Sequence, residues 1–157
     1  MSKIFDLWNT VAGAFGPSGR EDAVRETIAE IAGAYIDDVT TDALGNLICR
    51  KKGAKNGKKL LFAAHMDSIG VVATYIEDKG FIRFSQIGGL YVGDGLIKAK
   101  AIDDRVGCAA LLKLIEDEPP IDTWFCFTVQ EEVGLRGAAS MAYALDPGFA
   151  MVLEGTT

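Results

Sequence analysis

The 157-residue sequence lacks any uninterrupted apolar run long enough to cross a bilayer. A membrane-spanning helix needs about 20 consecutive, predominantly apolar residues. Near the N-terminus, Asp6 stands where a secretory signal needs its apolar segment. We therefore expect a soluble, cytoplasmic protein with no membrane partner.

Positive charge is also scarce. Lysine and arginine number 16 against 22 acidic residues, which gives a formal net charge of -6 at pH 7. Nucleic acids and anionic lipid surfaces attract basic proteins, so neither class of partner is expected. Because 49% of the residues are hydrophobic and 24% are charged, we expect one ordinary globular domain with a buried core.

Cysteine and histidine are the rarest reactive residues, with three cysteines and one histidine. Cys49, Cys108 and Cys126 are too widely spaced for a metal knuckle or a redox pair, and each has apolar neighbours. We predict three reduced, buried thiols. With His65 as the only histidine, no second imidazole can activate a serine or cysteine nucleophile, so nucleophilic catalysis is a poor fit.

The hydrophobic pattern predicts helices alternating with apolar strands. Helical periodicity covers four segments. They are 2–14, a second stretch that begins after Ser18 or Gly19, a third from Arg105 to the prolines at 119 and 120, and 134–145. Strand patterns cover 35–41, 45–51, 59–64, 70–76, 81–84, 123–129 and 148–153, of which the last two read as fully buried. This order predicts an α/β domain, a mixed sheet covered by helices on both faces. Glycines cluster in 85–100, which reads as a loop or short hairpin.

Acidic residues follow three of the apolar strands. His65 and Asp67 follow the strand at 59–64, Glu131 and Glu132 follow 123–129, Glu154 follows 148–153, and Asp103 and Asp104 precede the helix at Arg105. A buried, unpaired carboxylate loses several kcal/mol of solvation unless it binds something, and a dication compensates that loss. Imidazole and carboxylate ligands together suit zinc, cobalt or manganese. The carboxyl edge of the sheet is therefore a predicted metal site.

Each piece alone also has a simpler interpretation. A lone histidine at a strand end is often a hydrogen-bonded structural residue. Paired acids often lie in solvated turns, and Asp103 or Asp104 could cap the helix that follows. The convergence of all these groups on one sheet edge favours the metal site.

Six sequence segments carry a resemblance to a known family. "AAHMDSIG", "AKAIDDRVGC", "VQEEVGLRGA" and "LEGTT", with "FGPSGRE" and "DALGNLI" upstream, together resemble the glutamyl or deblocking aminopeptidase family, which includes the tetrahedral aminopeptidases. The segments occur in the family's order over most of the chain. The resemblance implies the α/β catalytic domain of a zinc exopeptidase with two co-catalytic metal ions, either zinc or cobalt, with manganese as the alternative.

The resemblance also implies a role for each site residue. His65 and Glu154 bind the first metal, Asp103 bridges both, and Glu132 holds the second. Asp67 orients His65 from behind and fixes its tautomer. Glu131 is the general base, which takes a proton from the bridging water and passes it to the leaving amine. A cis peptide bond is expected between Asp103 and Asp104.

The implied activity is a metal-dependent aminopeptidase acting on peptides with a free N-terminus. Members of the family are longer, with an inserted β-rich dimerisation domain, of which 85–100 would be a remnant, and a C-terminal half with a second metal-binding histidine. Residues 1–157 would then form one partial catalytic domain, in a homo-oligomer or associated with the missing half. The alternatives are a catalytically impaired metal-binding or assembly fragment, and another metallohydrolase such as an amide deacylase.

Overall fold

A computed structural model describes residues 3–36, 38–87 and 101–155. The elements are α1 (Lys3–Gly13), α2 (Asp22–Gly33), β1 (Asp38–Thr41), β2 (Leu47–Lys51), β3 (Lys55–His65), β4 (Gly70–Ile76), β5 (Ile82–Ile87), α3 (Ile102–Ile115), β6 (Ile121–Thr128), α4 (Arg136–Leu145) and β7 (Phe149–Val152). Their order and type confirm the sequence-based prediction, with ends that differ by a few residues. The connection between the strands predicted at 45–51 and 59–64 is shorter than expected, because β3 begins at Lys55. The pairing of β3 with β6 is irregular between Lys55 and Leu60.

Five strands form a mixed sheet in the order β1-β2-β6-β3-β7. β1, β2 and β6 pair antiparallel, whereas β6, β3 and β7 pair parallel. In the parallel part, His65 is in register with Thr128, and Ala63 is in register with Val152. The carboxyl ends of β6, β3 and β7 therefore lie side by side at one edge.

Helices cover both faces of this sheet, which confirms the predicted architecture. Alternation along β6 shows why: Phe125 and Phe127 face a core shared with α1, α2 and α3, whereas Cys126 faces a smaller cluster with Met141 of α4. Successive strand residues point to opposite faces, so one apolar strand supplies both cores. The three cysteines are buried free thiols, as predicted, and burial raises the pKa of each.

β4 and β5 form a separate antiparallel hairpin, as the sequence predicts. Its turn is closed by backbone hydrogen bonds from Glu77 to Phe81 and from Gly80 to Glu77, both 2.8 Å, and Gly80 adopts a positive φ of 85°. Many apolar side chains of the hairpin are exposed, namely Val71, Val72, Tyr75, Ile76, Phe81, Ile82 and Phe84.

The prediction that β7 is fully buried is wrong. Phe149 is 58% exposed and Val152 is 65% exposed. Apolar composition favours burial, but burial also needs a covering element, and in the described ranges β7 pairs only with β3 at the sheet edge. Such an edge leaves backbone groups and apolar side chains available to a partner.

Two further expectations concern membrane-spanning helices and the glycine-rich segment. In the described ranges, no helix is long and apolar enough to span a bilayer. The glycine-rich segment 85–100 lies only partly in the described residues: 85–87 complete β5, and 88–100 lie outside them.

Candidate metal centre

His65 ends β3, in the middle of the parallel part of the sheet, and is only 1% exposed. Its Nδ1 lies 3.1 Å from the backbone oxygen of Asp67 and 3.3 Å from Oδ1 of the same residue. Both oxygens are acceptors, so these contacts require the proton on Nδ1. Nε2, which lies 2.8 Å from Oδ1 of Asp103, is left as the nitrogen that can bind a metal.

Three side chains converge on one point at this edge. Ligand atoms of His65, Asp103 and Glu154 all lie within 4.8 Å of one another, and Oε1 of Glu154 is 3.5 Å from Nε2 of His65. Atoms bound to a tetrahedral zinc at about 2 Å lie about 3.3 Å apart. The spacing and the nitrogen and oxygen donors therefore fit one divalent ion.

The charge at this point supports the same conclusion. Burial lowers the pKa of His65, but contacts with Asp67 and Asp103 and the charge of Glu154 outweigh it and raise the pKa to about 10. Burial and the neighbouring Asp103 raise the pKa of Glu154, although His65 opposes them. The carboxylates thus favour a positive charge at Nε2, which a dication supplies more strongly than a proton.

Asp67 is a fully buried carboxylate behind His65. Its Oδ1 accepts the backbone N–H of Glu131 (3.0 Å), and its Oδ2 accepts the N–H of Glu132 (3.2 Å) and the hydroxyl of Ser18 (2.5 Å). Burial alone would raise the pKa of Asp67, but its contacts with His65, the Ser18 hydroxyl and the N–H of Glu131 hold the pKa below the ordinary value. One charged side chain thereby connects β3 to the loop that follows β6.

Glu131 and Glu132 lie in that loop, and the structure places them differently. Oε2 of Glu131 is 3.8 Å from Nε2 of His65, on the side where the other carboxylates converge. Among the described residues, Glu132 does not join the cluster of His65, Asp103 and Glu154. Burial raises the pKa of Glu132, and the charges of Asp103 and Glu131 add to this against the opposing effect of His65.

The acidic pair at the start of α3 divides into two roles. The Asp103–Asp104 peptide is cis, as the resemblance implies. Asp104 is buried and has a non-helical backbone, and its Oδ1 accepts the N–H of Gly107, three residues later, at 3.1 Å, in the manner of an N-terminal cap. A Cβ at Gly107 would lie 2.3 Å from Oδ2 of Asp104, so a side chain at this position would displace the Asp104 carboxylate. Asp103 is thus the member of the pair that faces His65.

Three residues that support the site were not predicted from the sequence. Ser18 contacts Asp67, Oε1 of Glu21 accepts the N–H of Gln130 at 3.1 Å, and Oδ1 of Asn46 accepts the N–H of Val129 at 3.0 Å. They come from the segments "FGPSGRE" and "DALGNLI". Both segments read as turns, and the only sign of a further role was their place in the resemblance.

Comparison with known proteins gives a consistent family match. The model of the M42 glutamyl aminopeptidases matches residues 45–93 and 90–157. A proposed aminopeptidase from Acetivibrio thermocellus is 34% identical over an alignment of 220 positions, which covers 98% of this chain and 66% of the relative. Because the chain has only 157 residues, a long stretch of that alignment has no counterpart in it.

Solved structures share the fold. An aminopeptidase from the archaeon Desulfurococcus kamchatkensis superposes with a TM-score of 0.88 at 28% identity. The superposition covers 98% of this chain and 63% of that protein. PhTET1-12s, solved as a dodecamer in the asymmetric unit, gives a TM-score of 0.83 at 26% identity, and the superposition covers 98% of this chain and 68% of that one. The chain thus spans about two thirds of the proteins that it matches.

Proposed function

Because the chain belongs to the M42 glutamyl aminopeptidase family, we propose that it is the metal-binding part of a metal-dependent aminopeptidase. The substrate is a peptide with a free N-terminus, from which the terminal residue is removed. The observation that carries this proposal is the convergence of His65, Asp103 and Glu154 on one point at the carboxyl edge of the sheet.

The chain's own ligands fit one ion better than two. His65, Asp103 and Glu154 would hold the first ion, and Asp103 together with Glu132 would hold a second. Zinc and cobalt are the metals that suit this donor set best, with manganese as the alternative. When bound, such ions polarise the scissile carbonyl and activate water for attack.

Asp67 and Glu131 supply the remaining chemistry. Asp67 keeps the proton on Nδ1 of His65 and so directs Nε2 towards Asp103 and Glu154. Glu131 takes a proton from the attacking water and returns it to the nitrogen of the leaving amine as the C–N bond breaks. Its backbone N–H is anchored on Asp67, and its carboxylate reaches to 3.8 Å from Nε2 of His65, which suits that role.

We further propose that residues 1–157 form one partial catalytic domain of a cytoplasmic protein and that 85–100 is a remnant of the family's inserted dimerisation domain. The two segments of the family match meet near residue 90, which supports this proposal. A homo-oligomer is the expected state, or association with a separate C-terminal half, and the solved dodecamer is a precedent within the fold.

Self-association through the β7 edge is a testable consequence. In analytical ultracentrifugation, we expect the protein to sediment as a dimer or larger species. The substitutions Phe149→Lys and Val152→Lys place charge on the exposed edge and should shift the distribution towards monomer. Tyr143→Lys, on the exposed surface of α4, is the matched control and should leave the distribution unchanged. A monomer at every protein concentration would contradict this assignment.

A panel of aminoacyl chromogenic substrates, with zinc or cobalt added, tests the proposed activity. We expect metal-dependent release of chromophore from substrates with a free amine, and none from His65→Ala. Metal binding without hydrolysis would instead identify a catalytically impaired metal-binding module. Cleavage confined to N-acylated substrates would identify an amide deacylase.

A further inference from the structure

The loop at residues 16–21, between α1 and α2, is fixed at both ends by groups outside it. At one end, the carbonyl oxygen of Gly16 accepts the N–H of Ser68 (3.0 Å) and Nη2 of Arg105 (3.2 Å). At the other end, Oε1 of Glu21 accepts the N–H of Gln130 at 3.1 Å. The position of the loop therefore does not depend on the side chain at its centre.

Arg105 makes the first of these anchors rigid. Its side chain is fully buried, and Nη1 donates to the carbonyl oxygen of Val11 at 2.6 Å. A buried guanidinium that donates to backbone carbonyls at the end of α1 fixes the chain as it leaves that helix. The same residue follows Asp103 by only two positions, so α3 holds both a candidate ligand and the anchor of the loop.

Ser18 occupies the centre of this loop. Its Oγ donates to Oδ2 of Asp67 at 2.5 Å, a distance typical of a hydroxyl bound to a charged carboxylate. We propose that Ser18 is a positioning residue of the metal centre, which acts by fixing the Asp67 carboxylate that holds His65. This inference rests on the proposed function, because the benefit of a fixed imidazole is the binding of a metal at Nε2.

The geometry explains why one hydroxyl matters. Rotation of an aspartate carboxylate about its last side-chain bond is only weakly restricted. Ser18 and the N–H of Glu132 hold Oδ2, which leaves Oδ1 turned towards Nδ1 of His65 and the N–H of Glu131. Without the hydroxyl, Oδ2 keeps only its longer, 3.2 Å bond, and the carboxylate can turn away from both partners.

The test uses three variants of the full chain. Ser18→Ala removes the hydroxyl, and Ser18→Thr retains one. Ser68→Ala is the matched control, because it deletes a neighbouring serine hydroxyl that bonds to Gly16 but leaves the shorter backbone bond in place. Zinc affinity is measured by competition with a chromogenic chelator. Amide hydrogen exchange of Glu131 and Glu132 is measured by NMR on the metal-free protein.

We expect Ser18→Ala to weaken zinc binding about tenfold, within the range for residues that support metal ligands. The same variant should speed the exchange of the Glu132 amide, whereas Ser18→Thr and Ser68→Ala stay close to the wild type. Unchanged zinc affinity and unchanged exchange in Ser18→Ala would overturn the assignment. If the wild type binds no zinc, the proposed function is wrong, and the exchange data alone then decide whether Ser18 fixes Asp67.

Discussion

Glu131→Gln is expected to lower aminopeptidase turnover by at least ~10²-fold, the usual size of a general-base contribution, while bound metal stays nearly constant. Glutamine retains the size of the side chain and the backbone N–H that Asp67 accepts, so the loop keeps its place. The measurement is the turnover number with a chromogenic aminoacyl substrate, beside metal content by elemental analysis.

Glu132→Gln provides the matched contrast, since it makes the same chemical change one residue later. We expect this variant to bind less metal, because Glu132 is assigned to the second ion. Its turnover per bound metal should fall less than its metal content. Loss of metal together with activity in Glu131→Gln would reassign Glu131 as a ligand.

Asp67→Ala should have the largest effect on the metal-free protein. Removal of the carboxylate leaves three donors without their acceptor: the Ser18 hydroxyl and the amides of Glu131 and Glu132. Each buried donor that loses its partner costs about 1–3 kcal/mol, so we expect the free energy of unfolding to fall by about 3 kcal/mol. Zinc affinity should fall by up to about 100-fold, since His65 loses the carboxylate behind it.

Urea denaturation and zinc competition measure these two effects. Asp78→Ala is the control, because Asp78 is an exposed carboxylate in the turn between β4 and β5 and should tolerate removal. A free energy of unfolding for Asp67→Ala equal to that of the control would show that the buried hydrogen bonds do not stabilise the site.

The sequence predicted the elements well because local pattern determines them. Apolar runs at β3 and β6 marked the buried strands, and polar residues at their carboxyl ends marked the site edge. The same logic failed for β7. "GFAMVL" is as apolar as a core strand, but its burial depends on a neighbour that the described part of the chain does not supply.

Ser18 shows the limit for the site itself. A serine in a turn before a helix is a common capping pattern, and its sequence neighbours give no sign of a contact with Asp67, 49 residues away. His65, Asp103 and Glu154 could be predicted to meet because each follows or precedes an element of one sheet layer. Which of Asp103 and Asp104 faces His65 could not be predicted, because it depends on the local backbone at the start of α3.

If this chain holds one complete three-ligand metal site, isothermal titration calorimetry with zinc should detect it. We expect one tight site per chain, formed by His65, Asp103 and Glu154, with a second ion bound more weakly, and loss of the tight site in His65→Ala. Two equally tight sites, or a His65→Ala variant that binds zinc like the wild type, would contradict it.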